Sequence, residues 1–399
     1  MAAARLSGHE ISDLCLGKPP LRSLSITDTV ADALAVLRKS GEPYVSVWSC
    51  HHSFIRNKNH SNSKKDDKNC VCIGKVCMLH IICFLSQPNN LSSPSSALQS
   101  PISALISDHC PLVRHLRPNA SLLEAIDVMY EGVQNLVIPI KNQNSSRKSY
   151  MLECLDSNKV VHNNSISYCW LTQEDVFRYL LNSIGVFSPT PSDPINTLGV
   201  IDTQNLLAIS YDDPASSVLD LLHLSLSHQS SVAIVDSQAK LIGEISPFVL
   251  NSCDETVVPA IATLSVGDLL TYIDCGGPPE DLLQVVKDRV EEQNLGAALE
   301  LLGDETRLTS WSSFSSSGSS DEDLCSGKNW RLGGYSGRVG RRSEAIVCYP
   351  WSSLVAVMIQ ALSHRVSYVW VVEEDWTLNG IVTFEGMLKV FREQMKAMC

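Results

Sequence analysis

Apolar residues recur along this chain in one repeated unit: a stripe at helical spacing, a short run rich in Val and Ile, and a second such run leading into another helix. The first copy sets Val30, Ala33, Leu34 and Leu37 on one helix face, followed by Tyr44–Trp48, an interruption, and Cys72–Leu79. The second has Leu122, Ile126, Met129, Tyr130 and Val133, then Asn135–Ile140, another interruption, and Ile166–Leu171. In the third, Val218, Leu221, Leu222 and Leu226 precede Ser231–Asp236 and Leu241–Ile245. The fourth has Leu354, Val357, Met358 and Ala361, then Tyr368–Val372, Leu378–Thr383 and a closing helix from Glu385 to Met398. Ala33, Ala125, Val218 and Ala356 hold equivalent places and lie 92, 93 and 138 residues apart. The longer last step is an insertion over 275–343. Alternating helix and strand periods predict an α/β (α+β-type) fold.

Polar insertions punctuate the repeats. His51–Asn69 reads as a long hairpin tip, and Asn142–Asn164, rich in Asn and Ser, as a second. Pro278–Gly303 can form an amphipathic helix, with Leu282, Val286 and Val290 opposite Glu280, Asp288 and Glu292. Ser310–Ser343 holds too few apolar residues to offset the entropy of ordering and is expected to be disordered. The run Val71–Leu85, broken by Lys75 and His80, is shorter than the ~20 residues of a membrane-spanning helix and predicts strand, turn and helix start.

The charge narrows the classes. A formal net charge of −12 over 399 residues disfavours broad binding to nucleic acid or anionic lipid. The fourteen cysteines lie mostly within apolar runs, which points to a reducing compartment. The N-terminus shows no secretory or transit pattern, so a cytoplasmic protein is expected, the nucleus being the alternative.

The repeated unit, with Gly followed by two apolar residues and Ser or Thr at its second strand, resembles the CBS domain, most clearly at Gly380-Ile-Val-Thr383. Asp13-Leu-Cys-Leu-Gly-Lys-Pro-Pro-Leu-Arg22 resembles the plant CBSX proteins that carry four repeats in one chain. The resemblance implies two pseudo-symmetric CBS pairs (Bateman modules) with polar insertions: repeats at 10–86, 100–190, 195–274 and 344–399, and an inserted helix and linker at 275–343. It also implies adenosyl ligands in clefts between paired repeats. There the strand-end hydroxyl and the helix N-terminus hold phosphate, and an Asp three residues on accepts from the ribose. Helix N-termini favour anions, and a carboxylate suits a cis-diol. Thr172 and Asp175 keep both positions, with Cys169 replacing the Gly. Ser246 and Thr383 keep the hydroxyl, but Val249 and Gly386 stand at the Asp position. The first repeat has Cys77 and His80 there. Thr172 and Asp175 also fit a plain capping box, and Ser246 and Thr383 plain N-caps.

The other constellations carry less. Cys50, His51, His52, His60, Cys70, Cys72 and Cys77 lack zinc-knuckle spacing, so no metal is expected. Those cysteines read as buried apolar residues, as do Cys154, Cys169, Cys253 and Cys348, a redox role staying open. Lys328, Arg331, Arg338, Arg341 and Arg342, interleaved with Trp330 and Tyr335, read as a flexible linker balancing Asp321–Asp323, with Ser319, Ser320 and Ser343 as phosphorylation candidates. No catalytic motif emerges. The expectation is a non-enzymatic regulatory module, without a resident cofactor, that senses AMP, ATP or S-adenosylmethionine and modulates a partner protein. The resemblance implies a thioredoxin or a kinase complex as partner, and a homodimer is compatible with it. The alternative is a scaffold whose ligand sites have degenerated.

Overall fold

The computed structural model describes residues 9–40, 42–50, 70–106, 112–140, 167–274, 279–302 and 343–398. The insertions at 51–69 and 141–166 lie outside the described residues, as does 303–342 with its serine-rich and basic stretches.

Four repeats share one order of elements. The first contains β1 (Ser23–Ser25), α1 (Val30–Ser40), β2 (Val45–Cys50), β3 (Cys70–Val76) and α2 (Met78–Leu85). The second contains β4 (Val113–His115), α3 (Leu122–Tyr130), β5 (Asn135–Ile140), β6 (Ser167–Thr172) and α4 (Gln173–Asn182). The third contains β7 (Ala208–Ser210), α5 (Val218–His228), β8 (Val232–Val235), β9 (Leu241–Ile245) and α6 (Pro247–Asn251). The fourth contains β10 (Val347–Cys348), α7 (Leu354–His364), β11 (Tyr368–Val372), β12 (Leu378–Thr383) and α8 (Phe384–Met398).

Each repeat builds a three-stranded sheet whose first strand runs parallel to the second and whose third runs antiparallel to it. The last two sheets follow the same rule. A parallel pair needs a crossover, which is the opening helix, while an antiparallel pair needs only a hairpin. The first two insertions therefore lie in the sequence between antiparallel neighbours, β2 and β3 in one case and β5 and β6 in the other. The leading strands go unseen in the hydrophobic pattern, because two or three residues are too few to show alternation. Val30, Ala33, Leu34 and Leu37 are buried, as are Leu354, Val357, Met358 and Ala361, which fits stripes facing the sheets.

A glycine explains a recurring kink. The registers of β2–β3, β8–β9 and β11–β12 each skip a residue, Ile73, Ile242 and Asn379, immediately before Gly74, Gly243 and Gly380. A Cβ on Gly380 would lie 2.5 Å from Ile201 Cγ2 and 3.0 Å from Asp202 O, and one on Gly243 would lie 3.0 Å from Ser343 O. Glycine thus admits a neighbouring segment against the bulged strand. The second repeat has Cys169 at this place, and β5–β6 runs without a register shift.

The described elements gather in two compact units, one of residues 1–77, 99–193 and 384–399, the other of 78–98 and 194–383. The first unit includes α8. Phe384 stacks on Phe177 with centroids 4.2 Å apart, and Phe391 meets Phe187 edge-on at 5.0 Å. Arg392 and Lys396 of the same helix pair with Asp127 of α3, Lys396 at 3.0 Å. The second unit includes α2, whose Met78, Leu79, Ile81, Ile82, Cys83 and Leu85 are all buried. The run Val71–Leu85 divides into the end of β3 and this helix, and no described helix is long and apolar enough to cross a membrane. The inserted helix forms over Glu280–Glu292, with Val286 and Val290 buried and Glu280, Asp288 and Glu292 exposed.

Candidate functional site

In the first unit, β6 ends at Thr172, which caps α4. Thr172 N and Oγ1 each donate to Asp175 Oδ2 at 2.7 Å, and Asp175 N donates back to Thr172 Oγ1 at 3.3 Å. Lys18 Nζ pairs with the same carboxylate and donates to Trp170 O at 2.9 Å. The capping geometry alone does not mark a ligand. Thr29 and Asp32 at the start of α1 make the same three bonds, at 3.0, 2.7 and 3.1 Å.

The residues around Thr172 distinguish it. In the β5–β6 register Asn135 stands directly opposite Thr172, which puts the two side chains on one face of the sheet. Asn135 Oδ1 accepts from Lys75 Nζ at 2.6 Å. Lys75 is 6% exposed and lies over the Tyr44 ring, 4.3 Å from its centroid. Burial pushes its ammonium down to about 7, with only the nearby Cys77 acting the other way. Among the described residues no carboxylate pairs with it. A buried amine thus bonds an amide that stands across the strand pair from Thr172, the N-cap of a ten-residue helix.

The second unit treats the equivalent place differently. Glu244 stands one residue past Gly243, as Lys75 stands one past Gly74. Its carboxylate accepts from Tyr368 Oη at 2.8 Å and from Trp370 Nε1 at 2.7 Å. Tyr368 and Trp370 are 1% and 0% exposed. Ser246 caps α6, accepting from Val249 N at 3.1 Å, and its hydroxyl also meets Tyr368, as does that of Ser231. Burial and the neighbouring Glu244 charge hold the Tyr368 phenol well above its ordinary range. Thr383 ends β12 opposite Tyr368.

Of the residues singled out in the sequence, Thr172 and Asp175 are joined in one cap, and Ser246 and Thr383 both flank Tyr368. Lys18, Lys75, Asn135, Glu244, Tyr368 and Trp370 were missed. Lys75 and Glu244 left a signal, each a charged residue inside an apolar strand directly after the glycine. Cys77, at the first repeat's hydroxyl position, is buried. Among the described residues no three His, Cys, Asp or Glu gather in a metal-holding group.

The chain is 42% identical over 403 residues to the CBS domain-containing protein CBSX5 of Arabidopsis thaliana, with 98% of each chain covered. It is 27% identical to CBSX6 of the same plant, over 98% of this chain and 94% of that one. At 21% identity, over 98% and 97% of the two chains, it resembles the Arabidopsis SNF1-related protein kinase regulatory subunit gamma-like PV42b. No family model matches. Among solved structures, protein MJ1225 of Methanocaldococcus jannaschii, a candidate archaeal homologue of gamma-AMPK, aligns over 96% of this chain and 100% of its own. The TM-score is 0.52 at 14% identity, a likeness of fold.

Proposed function

The chain belongs to the CBS domain-containing proteins, and from that premise we propose that it is a non-enzymatic regulatory module whose first unit binds an anionic adenosyl ligand. The observation that carries this reading is Lys75. A buried ammonium without a carboxylate partner is costly, and a ligand phosphate beside it would relieve that cost. Thr172 and the first amides of α4 would complete the phosphate contacts. Asp175 would accept from the ribose diol, displacing Lys18. In the second unit the equivalent place is occupied by Glu244, Tyr368 and Trp370, whose polar atoms satisfy one another, so that unit acts as structure.

Ligand binding changes partner affinity only if the ligand favours one arrangement of the protein over another. Likeness to a kinase regulatory subunit supports a kinase complex as the partner class ahead of a thioredoxin. The closed Thr172–Asp175 cap favours the alternative, a ligand-free scaffold. Calorimetric titration with AMP, ATP and S-adenosylmethionine separates the two. One nucleotide is expected per chain, with affinity weakened about tenfold or more by Asp175→Ala and by Lys75→Met. Absence of binding, or binding that neither substitution weakens, overturns the sensor in favour of the scaffold.

A further inference from the structure

The segment leading into β1 lies along β6. Leu21 N donates to Tyr168 O at 2.8 Å, and Lys18 Nζ to Trp170 O at 2.9 Å. On the same stretch the thiol of Cys15 meets that of Cys169 in a side-chain hydrogen bond. In the other three repeats a neighbouring segment approaches this strand position over a bare glycine: Ile106 at Gly74, Ser343 at Gly243, and Ile201 with Asp202 at Gly380. Only in the second repeat do two side chains fill the approach, and both are cysteines.

We propose that Cys15 and Cys169 form a reversible disulfide that pins the lead segment 9–22 to β6. The local electrostatics assign the roles. The Cys15 thiol donates to Cys169, and the Lys18 charge assists, so Cys169 is held below the usual thiol range and Cys15 well above it. With a hydroperoxide as oxidant, the Cys169 thiolate attacks a peroxide oxygen, the O–O bond breaks, and the leaving oxygen takes up a proton. This yields a sulfenic acid and, from hydrogen peroxide, water. Cys15 then gives up its proton and attacks the Cys169 sulfur, releasing the second water. Two thiols are oxidised and one peroxide is reduced, and a dithiol reductant reverses the change.

Cys15 and Cys169 are 5% and 0% exposed, so oxidation proceeds through opening of the lead segment. Neighbouring Leu16 is 76% exposed, and Gly17 turns at φ +77°. A disulfide here would hold Lys18 against Asp175 and oppose ligand entry, a consequence that rests on the reading under Proposed function.

The test treats the reduced full chain with hydrogen peroxide, alkylates the remaining thiols, and maps cross-linked peptides by mass spectrometry. The expected product is a peptide pair joined through Cys15 and Cys169, lost on dithiothreitol treatment and absent from Cys15→Ser. Amide exchange over 9–22 should slow by about tenfold or more on oxidation of the native chain, and stay unchanged in Cys15→Ser. Should Cys15→Ser fold poorly, Cys15→Ala takes its place. Recovery of Cys15 and Cys169 unlinked, or linked mainly to other cysteines, overturns the disulfide. If the link forms but neither redox state binds a nucleotide, the disulfide stands and the sensor reading falls.

Discussion

One residue past the strand glycine, the first repeat has Lys75 and the third has Glu244, and the two units diverge from that point. Lys75 reaches the neutral amide of Asn135, at the start of β5. Glu244 reaches Tyr368, at the start of β11, and Trp370 two residues further on. Both are buried charges at equivalent places in the same fold. The Glu244 carboxylate is satisfied by two donors from aromatic side chains that also fill the space around it. Lys75 has a single acceptor and no counter-charge among the described residues. Like positions in a repeated fold thus carry opposite consequences, a closed polar core in one unit and, in the other, a buried amine with no counter-charge among the described residues.

The largest effect that would break this comparison comes from Glu244→Ala. It leaves the Tyr368 hydroxyl and the Trp370 N–H buried without their acceptor, and it should destabilise the chain by about 3–5 kcal/mol in denaturant unfolding. A loss below about 1 kcal/mol would mean that the carboxylate does not organise that core.

Lys75→Met should act in the other direction, raising stability by about 1–3 kcal/mol near neutral pH while weakening ligand binding about tenfold or more. The pH dependence follows from its lowered value of about 7, against 10.5 for an ordinary lysine. Between those values the unfolded chain binds more protons than the folded one, so the Lys75 contribution makes stability rise with pH across that window and level off below it. Stability measured from pH 7 to 10 should have a smaller positive slope in Lys75→Met than in the native chain. Equal slopes would show that Lys75 is not held in its neutral form.

A smaller effect sharpens the contrast at the glycine itself. Gly380→Ala forces a Cβ against Ile201 and the Asp202 carbonyl, and it should cost about 1–3 kcal/mol in thermal or denaturant unfolding. In the first unit, β6 already carries a side chain at this place, in Cys169. Full tolerance of Gly380→Ala would detach the glycines from the close approach of the neighbouring segment.

Much of this was legible in one dimension. The helical stripes, the longer strands and the fourfold spacing follow from side-chain periodicity, because burying one face of each element demands it. Asn135–Ile140, Leu241–Ile245 and Tyr368–Val372 form where their Val and Ile runs predict. The leading strands were hidden, being held by parallel pairing to a distant strand instead of by their own composition. Thr172 and Asp175 could be read from spacing because they sit three residues apart on one helix end. Lys18 lies 157 residues from Asp175, and Lys75 lies 60 from Asn135. No local pattern couples positions so far apart.

The amino-acid sequence by itself determined the repeat, the order of its helices and longer strands, and the family. Each of these depends on local periodicity and on residue types within a few positions of one another. Tertiary structure decided which closing helix packs with which unit, that Cys15 meets Cys169, and that Lys75 is left without an acid among the described residues while Glu244 is enclosed by Tyr368 and Trp370. These outcomes depend on burial and on partners brought together by the chain's return, and the energy of a charge is set by what surrounds it in space.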